Sequence, residues 1–147
     1  MARAKRDPRR HARQAALQIL YQWEVGRTEV ALAVDTFFSL QWPNATPPPD
    51  DVRAFATRLA HDTVARIEPI DALIAETAER WRPERMAVLD RLILRMAVCE
   101  FLGDPGTPPA VVINEALELA RTFSTEESVK FINGMLDAIK RKRERDA

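Results

Sequence analysis

Apolar residues recur along this chain at spacings of three and four, and Pro and Gly fall mostly between the periodic stretches. No stretch sustains the alternation of a half-buried strand, so the pattern predicts an all-α protein of about seven helices. The first runs from about Pro8 to Val25, with Leu17, Leu20 and Tyr21 on one face and Ala16 and Trp23 beside it. Pro8 suits a first helical turn, and Gly26 suits the position just past the last one. The second spans about Glu29 to Gln41 and turns Val30, Val34, Phe37 and Phe38 inward. A proline-rich connector, Trp42 to Pro49, cannot be helix.

A third helix starts at an Asp50 cap and buries Val52, Phe55, Ala56, Leu59, Thr63 and Ile67, until Pro69 breaks or kinks it. A short fourth carries Ile70, Leu73, Ile74, Ala78 and Trp81. The fifth, about Pro83 to Leu102, is apolar on nearly every side, the mark of a central helix packed by several neighbours. The sixth, about Pro109 to Phe123, buries Val112, Ile113, Ala116, Leu117 and Ala120. Ser124 with Glu127 reads as a capping box for the seventh, which buries Val129, Ile132, Leu136 and Ile139. Asn133-Gly134 would mark a hairpin between strands, but the helical spacing continues through it. A helical Gly134 costs on the order of 1 kcal/mol against Ala, and close approach of another helix over it would offset that cost.

Charge adds what the pattern does not show. The 147 residues carry 22 basic and 22 acidic side chains, yet the signs are separated. Arg3, Lys5, Arg6, Arg9, Arg10 and Arg13 face one acid, Asp7, in the first thirteen residues. Lys140, Arg141, Lys142, Arg143 and Arg145 crowd the other end, leaving 11 basic and 19 acidic residues between. A basic arm on an acidic body points to a polyanion partner. The division expected is a flexible basic arm over 1–8, a single helical domain over 9–140 and a basic tail over 141–147.

No apolar run approaches the roughly 18 residues of a membrane span. The basic start lacks the apolar core of a secretory signal. A mitochondrial transit peptide shares its Arg-rich composition, but here the arm runs straight into an apolar helix. The single cysteine, Cys99, fits a reducing cytoplasm and offers neither a disulfide nor a zinc cluster. With His11 and His61 far apart and no nucleotide, nucleophile-elbow or metalloprotease motif, the expectation is a binding protein with no catalytic residue, metal or cofactor.

Arg9, Arg10 and Arg13 sit in or beside a first helical turn, with Arg10 and Arg13 spaced i, i+3 on one face. Cations there oppose the helix dipole by a few tenths of a kcal/mol each, so a ligand is a natural reason to keep them. Arginine pairs with phosphates and stacks on bases. Tyr21, and Phe131 beside Lys130, can stack on a base if exposed, or pack in the core. On the fifth helix, Asp90 reads either as an internal ion pair with Arg91 or Arg95 or as an acidic docking spot.

Three segments carry a family resemblance. Arg9 to Trp23 (RRHARQAALQILYQW), Val112 to Phe123 (VINEALELARTF) and Lys130 to Asp137 (KFINGMLD) resemble the opening, penultimate helix and most distinctive stretch of the NusB family of bacterial transcription antitermination factors. Cys99, where the family often has an aromatic, and the Pro43 to Pro49 connector depart from it.

The resemblance implies two perpendicular three-helix bundles. It implies binding of boxA in ribosomal RNA leaders as single-stranded RNA, jointly with the ribosomal protein NusE, in an antitermination complex on RNA polymerase. Matched positions imply RNA contacts at Arg6, Arg9, Arg10 and Arg13, with Tyr21, Lys130 and Phe131 bordering them. Glu127 matches an acidic position where loss of charge favours RNA, and Glu84 and Asp90 match positions facing the protein partner. Two other readings stay open. A NusB-like domain also fronts some ribosomal RNA methyltransferases, whose downstream catalytic domain these 147 residues do not include. A helical interaction module, or a homodimer covering the arginine surface, also fits.

Overall fold

A computed structural model of the chain describes residues 8–43, 46–78, 82–104 and 106–146. All regular secondary structure among the described residues is helical, with no strand among them. The all-α class and the seven α-helices are those the periodicity predicts: α1 (Pro8–Glu24), α2 (Val30–Thr36), α3 (Asp50–Ala65), α4 (Ile67–Thr77), α5 (Val88–Gly103), α6 (Pro109–Phe123) and α7 (Glu126–Asp146). None of the helices is long and apolar enough to cross a membrane. The chain divides into two compact units, Met1–His61 and Asp62–Ala147.

In the first unit α1 packs against α2 and the segment after it. Ala12, Ala16, Leu17, Ile19 and Leu20 bury the inner face of α1. Gly26 follows α1, but the left-handed residue is Arg27, at φ 52°. Glycine is needed at 26 for space, since a Cβ there would lie 2.7 Å from the Gln22 carbonyl oxygen. Glu29 caps α2, its carboxylate accepting from the N–H groups of Ala31 and Leu32. The expected second helix widens over Phe37–Gln41 into a π-helical turn. A regular helix diverges by about 100° per residue; here the adjacent Phe37 and Phe38 are both buried, against Trp42. Trp42 Nε1 donates to the Thr46 carbonyl across the proline-rich connector.

Asp50 lies inside α3 rather than capping it, because the Pro49 carbonyl accepts the first helical hydrogen bond, from Arg53. Phe55, expected in the core, is only half-buried. The break before α4 falls at Arg66, not Pro69. Pro69 sits in the first turn of α4, where a missing N–H forfeits no helical bond. Trp81 and Arg6 lie outside the described residues.

In the second unit α5 touches α4, α6 and α7, the central position its apolar surface predicts. It begins at Val88, later than expected, after a separate 3-10 turn over Pro83–Arg85. Arg91 holds that turn by donating to the carbonyls of Pro83, at 2.5 Å, and Met86. Arg95 forks onto Asp71 of α4, with Nε 2.9 Å from Oδ1 and Nη2 2.8 Å from Oδ2. The interior face of α7 is the expected Val129, Ile132, Leu136 and Ile139. Among the described residues no helix closes over Gly134, however: beyond its own helix backbone, nothing lies within 4 Å of where its Cβ would be. The basic end stays helical to Asp146, with Arg141 paired to Asp137, Lys142 to Glu76 and Lys140 to Glu144.

Candidate nucleic-acid interface

The arginines of α1 do not share one environment. Arg9 and Arg10 are exposed in the first turn, whereas Arg13 is 2% exposed. The i, i+3 pair expected of Arg10 and Arg13 is therefore replaced by an i, i+4 pair, Arg9 and Arg13. Their guanidinium carbons lie 5.2 and 5.3 Å from the centroid of the Phe55 ring on α3. Arg58, one turn on along α3, reaches the same ring at 6.0 Å. Cation–π attraction and the apolar stem of each arginine stabilise this stack. The sequence pattern marks Phe55 only as a core position and does not single out Arg58. The available signal is that they stand i, i+3 on one helix face, but nothing local says which arginines meet that face. Tyr21, further along α1, is 40% exposed, which favours the contact reading over core packing.

The residues of the second unit matched to RNA contact are on α7. Glu127, Lys130 and Phe131 are all exposed in its first two turns, Phe131 at 44%. They stand outward because Val129 and Ile132 take the inward positions of this stretch. With Gly134 open to solvent one turn on, this stretch presents an aromatic ring, a cation and bare backbone together.

Asp90 answers to neither simple expectation. It pairs with neither Arg91 nor Arg95, and at 8% exposure it presents little surface. Its carboxylate accepts from Ser124 Oγ at 2.8 Å and from Ser128 Oγ at 2.7 Å. This also corrects the capping box. Ser124 is drawn to Asp90, and Thr125 caps α7, its Oγ1 accepting from the Ser128 N–H at 3.1 Å. Glu84 is exposed in the Pro83–Arg85 turn that Arg91 holds.

Among the described residues no group of three or more His, Cys, Asp or Glu side chains is placed to hold a metal. Cys99 is buried on α5. Desolvation pushes its thiol pKa up, and Asp62 and Glu100 add to the rise; a Thr63 hydrogen bond and Arg66 oppose it. Such a thiol is inert rather than nucleophilic.

Residues 10–141 match the NusB family model. The transcription antitermination protein NusB of Koribacter versatilis is 48% identical over 93% of this chain and 91% of that protein. The NusB structure from T. maritima superposes with a TM-score of 0.79 at 32% identity, covering 90% of each chain. A structure of the antitermination factors NusB and NusE in complex with double-stranded RNA aligns at a TM-score of 0.78 and 26% identity, over 92% of this chain and 97% of that one. The chain belongs to the NusB family.

Proposed function

We propose that this protein is a cytoplasmic RNA-binding transcription antitermination factor, a binding protein and not an enzyme. It binds boxA of ribosomal RNA leader transcripts together with NusE and promotes processive transcription by RNA polymerase. The observation that carries this reading is the likeness, across nearly the whole chain, to a NusB captured with NusE and RNA. The exposed chemistry fits that role: Arg9 and Arg10 on α1, and Lys130 and Phe131 on α7.

The matched residues take these parts. Arg9 and Arg10, with Arg6 before them, contact phosphates, and Arg13 sets the Phe55 platform beneath Arg9. Tyr21 and Phe131 stack on bases, and Lys130 neutralises a phosphate. Glu127 repels the strand beside Lys130 and limits affinity. Glu84 faces NusE from its turn, and Asp90 supports that face from within by anchoring the corner before α7.

The test is a titration of boxA RNA, single-stranded and in a duplex, with and without NusE across a range of salt. Weak binding alone, tighter binding with NusE, preference for the single strand and a steep salt dependence are the expected results. Affinity indifferent to NusE and to salt would sink the proposal.

A further inference from the structure

The first unit gathers more positive charge around Phe55 than its matched arginines account for. Arg9 and Arg13 come from α1, but Arg58 comes from α3, and all three guanidinium carbons stand within 6.0 Å of one ring centroid. Pro8, Arg9, Asp51, Ala54, Phe55 and Arg58 line an open groove at this place. Arg58 is exposed, and among the described residues it forms no hydrogen bond or ion pair. Among the described residues that line the groove the one acid is Asp51, which spends Oδ1 on the N–H of Val52, its own neighbour in the chain. Like charges collected around a ring repel one another, and an anion between them relieves that repulsion.

We infer that Arg58 is a phosphate-binding residue, which with Arg9 on the facing helix clamps one backbone phosphate of the bound RNA over the Phe55 groove. The inference rests on the RNA-binding reading above and extends the contact surface from α1 to α3. The ligand is a phosphate rather than a stacked base because guanidiniums already occupy the surroundings of the Phe55 ring. A guanidinium held against an aromatic ring keeps the N–H donors of its edge, and these match the oxygens of a phosphate. Two arginines from two helices also define a position along the strand, which a single flexible arm does not. Asp51, which lines the same groove, opposes the anion and tempers the site.

The experiment uses the full chain with NusE and boxA RNA, and compares wild type, Arg58→Gln and Arg10→Ala. A second RNA series carries one neutral methylphosphonate linkage at each position in turn. Arg58→Gln is expected to lower affinity about tenfold, as for one charge-assisted contact, and to reduce the salt slope by about 0.7. One methylphosphonate position is expected to weaken wild type while leaving Arg58→Gln unaffected. Asp51→Asn is expected to tighten binding. Circular dichroism and thermal unfolding show that each variant is folded. If Arg10→Ala weakens binding while Arg58→Gln changes neither affinity nor slope, the clamp is wrong and the RNA reading stands. If Arg58→Gln weakens binding equally at every linkage, Arg58 acts only through its general field and the clamp is likewise wrong. RNA affinity indifferent to salt and to both arginines overturns the RNA reading and the clamp with it.

Discussion

Ser128, in the first turn of α7, donates its hydroxyl proton to Asp90, in the first turn of α5, across 2.7 Å. Ser124 donates to the other oxygen of the same carboxylate at 2.8 Å, and Thr125 closes the cluster through Ser128 Oγ at 3.0 Å. One buried carboxylate therefore ties the α6–α7 corner to the central helix. Asp90→Ala should cost about 1.5–3 kcal/mol, the range for hydrogen bonds to a charged group. Ser124→Ala with Ser128→Ala should cost less when Asp90 is already Ala, a coupling that denaturant unfolding of the four proteins would reveal. Asp90→Lys should destabilise the fold itself, not only weaken NusE binding, since it places a cation where two hydroxyls point. Wild-type stability in Asp90→Lys would contradict the buried anchor.

Arg10 and Arg13 should separate binding from stability. Arg10→Ala should leave the unfolding free energy within about 0.5 kcal/mol, as for an exposed site. It should also reduce the salt slope for single-stranded RNA by about 0.7. Arg13→Ala removes a buried stem and its contact with Phe55, so it should lower stability by about 1–2 kcal/mol as well as weaken binding. Equal thermal shifts in the two variants would contradict the different environments of the two side chains.

Phe131 is exposed and so can be truncated with little effect on the fold. Phe131→Ala should weaken RNA binding by about 1–3 kcal/mol if it stacks on one base. Glu127→Gln should act in the opposite direction and strengthen binding. Fluorescence anisotropy with a labelled RNA reads both, and the pair fails if the two substitutions move affinity the same way.

Gly134 weakens a helix it does not help to pack. With none of the described residues beyond its own helix backbone within 4 Å of its Cβ position, Gly134→Ala should stabilise the protein by about 0.8–1 kcal/mol, visible as a higher thermal midpoint. A lower midpoint would mean that a contact is made over this residue.

Cys99 makes stability depend on alkaline pH. Its folded pKa lies above the ordinary thiol value of 9.0, chiefly through burial. The folded state therefore holds the proton more tightly than the unfolded chain. The thiol's contribution is full below about pH 9 and is lost as pH rises towards the folded pKa. Denaturant midpoints measured between pH 8 and 11 should fall less steeply in Cys99→Ala than in wild type. A thiol reagent at pH 8 should react with Cys99 only as fast as the protein opens.

How much of this was legible depends on the range over which each feature is set. The sixth helix was readable because Pro109 opens it and the apolar spacing lapses after Phe123, close to where its ends fall. The inward face of α7 was readable for the same reason, through the doubtful Asn133-Gly134 pair. Capping was less legible. Ser124 and Thr125 are both able caps, and the choice between them was made by Asp90, more than thirty residues earlier in the chain.

The sequence by itself determined the helical class, the number of helices, most of the core positions and the gathering of cations at both ends of the chain. These follow from spacing and composition, which act between neighbours. Tertiary structure alone decided that Arg13 is buried and Arg10 is not, that Phe55 is a platform for three arginines, that Asp90 binds hydroxyls and that Gly134 is bare. Each of these depends on which distant side chain fills the space beside a residue, and a 3.6-residue period carries no information about that.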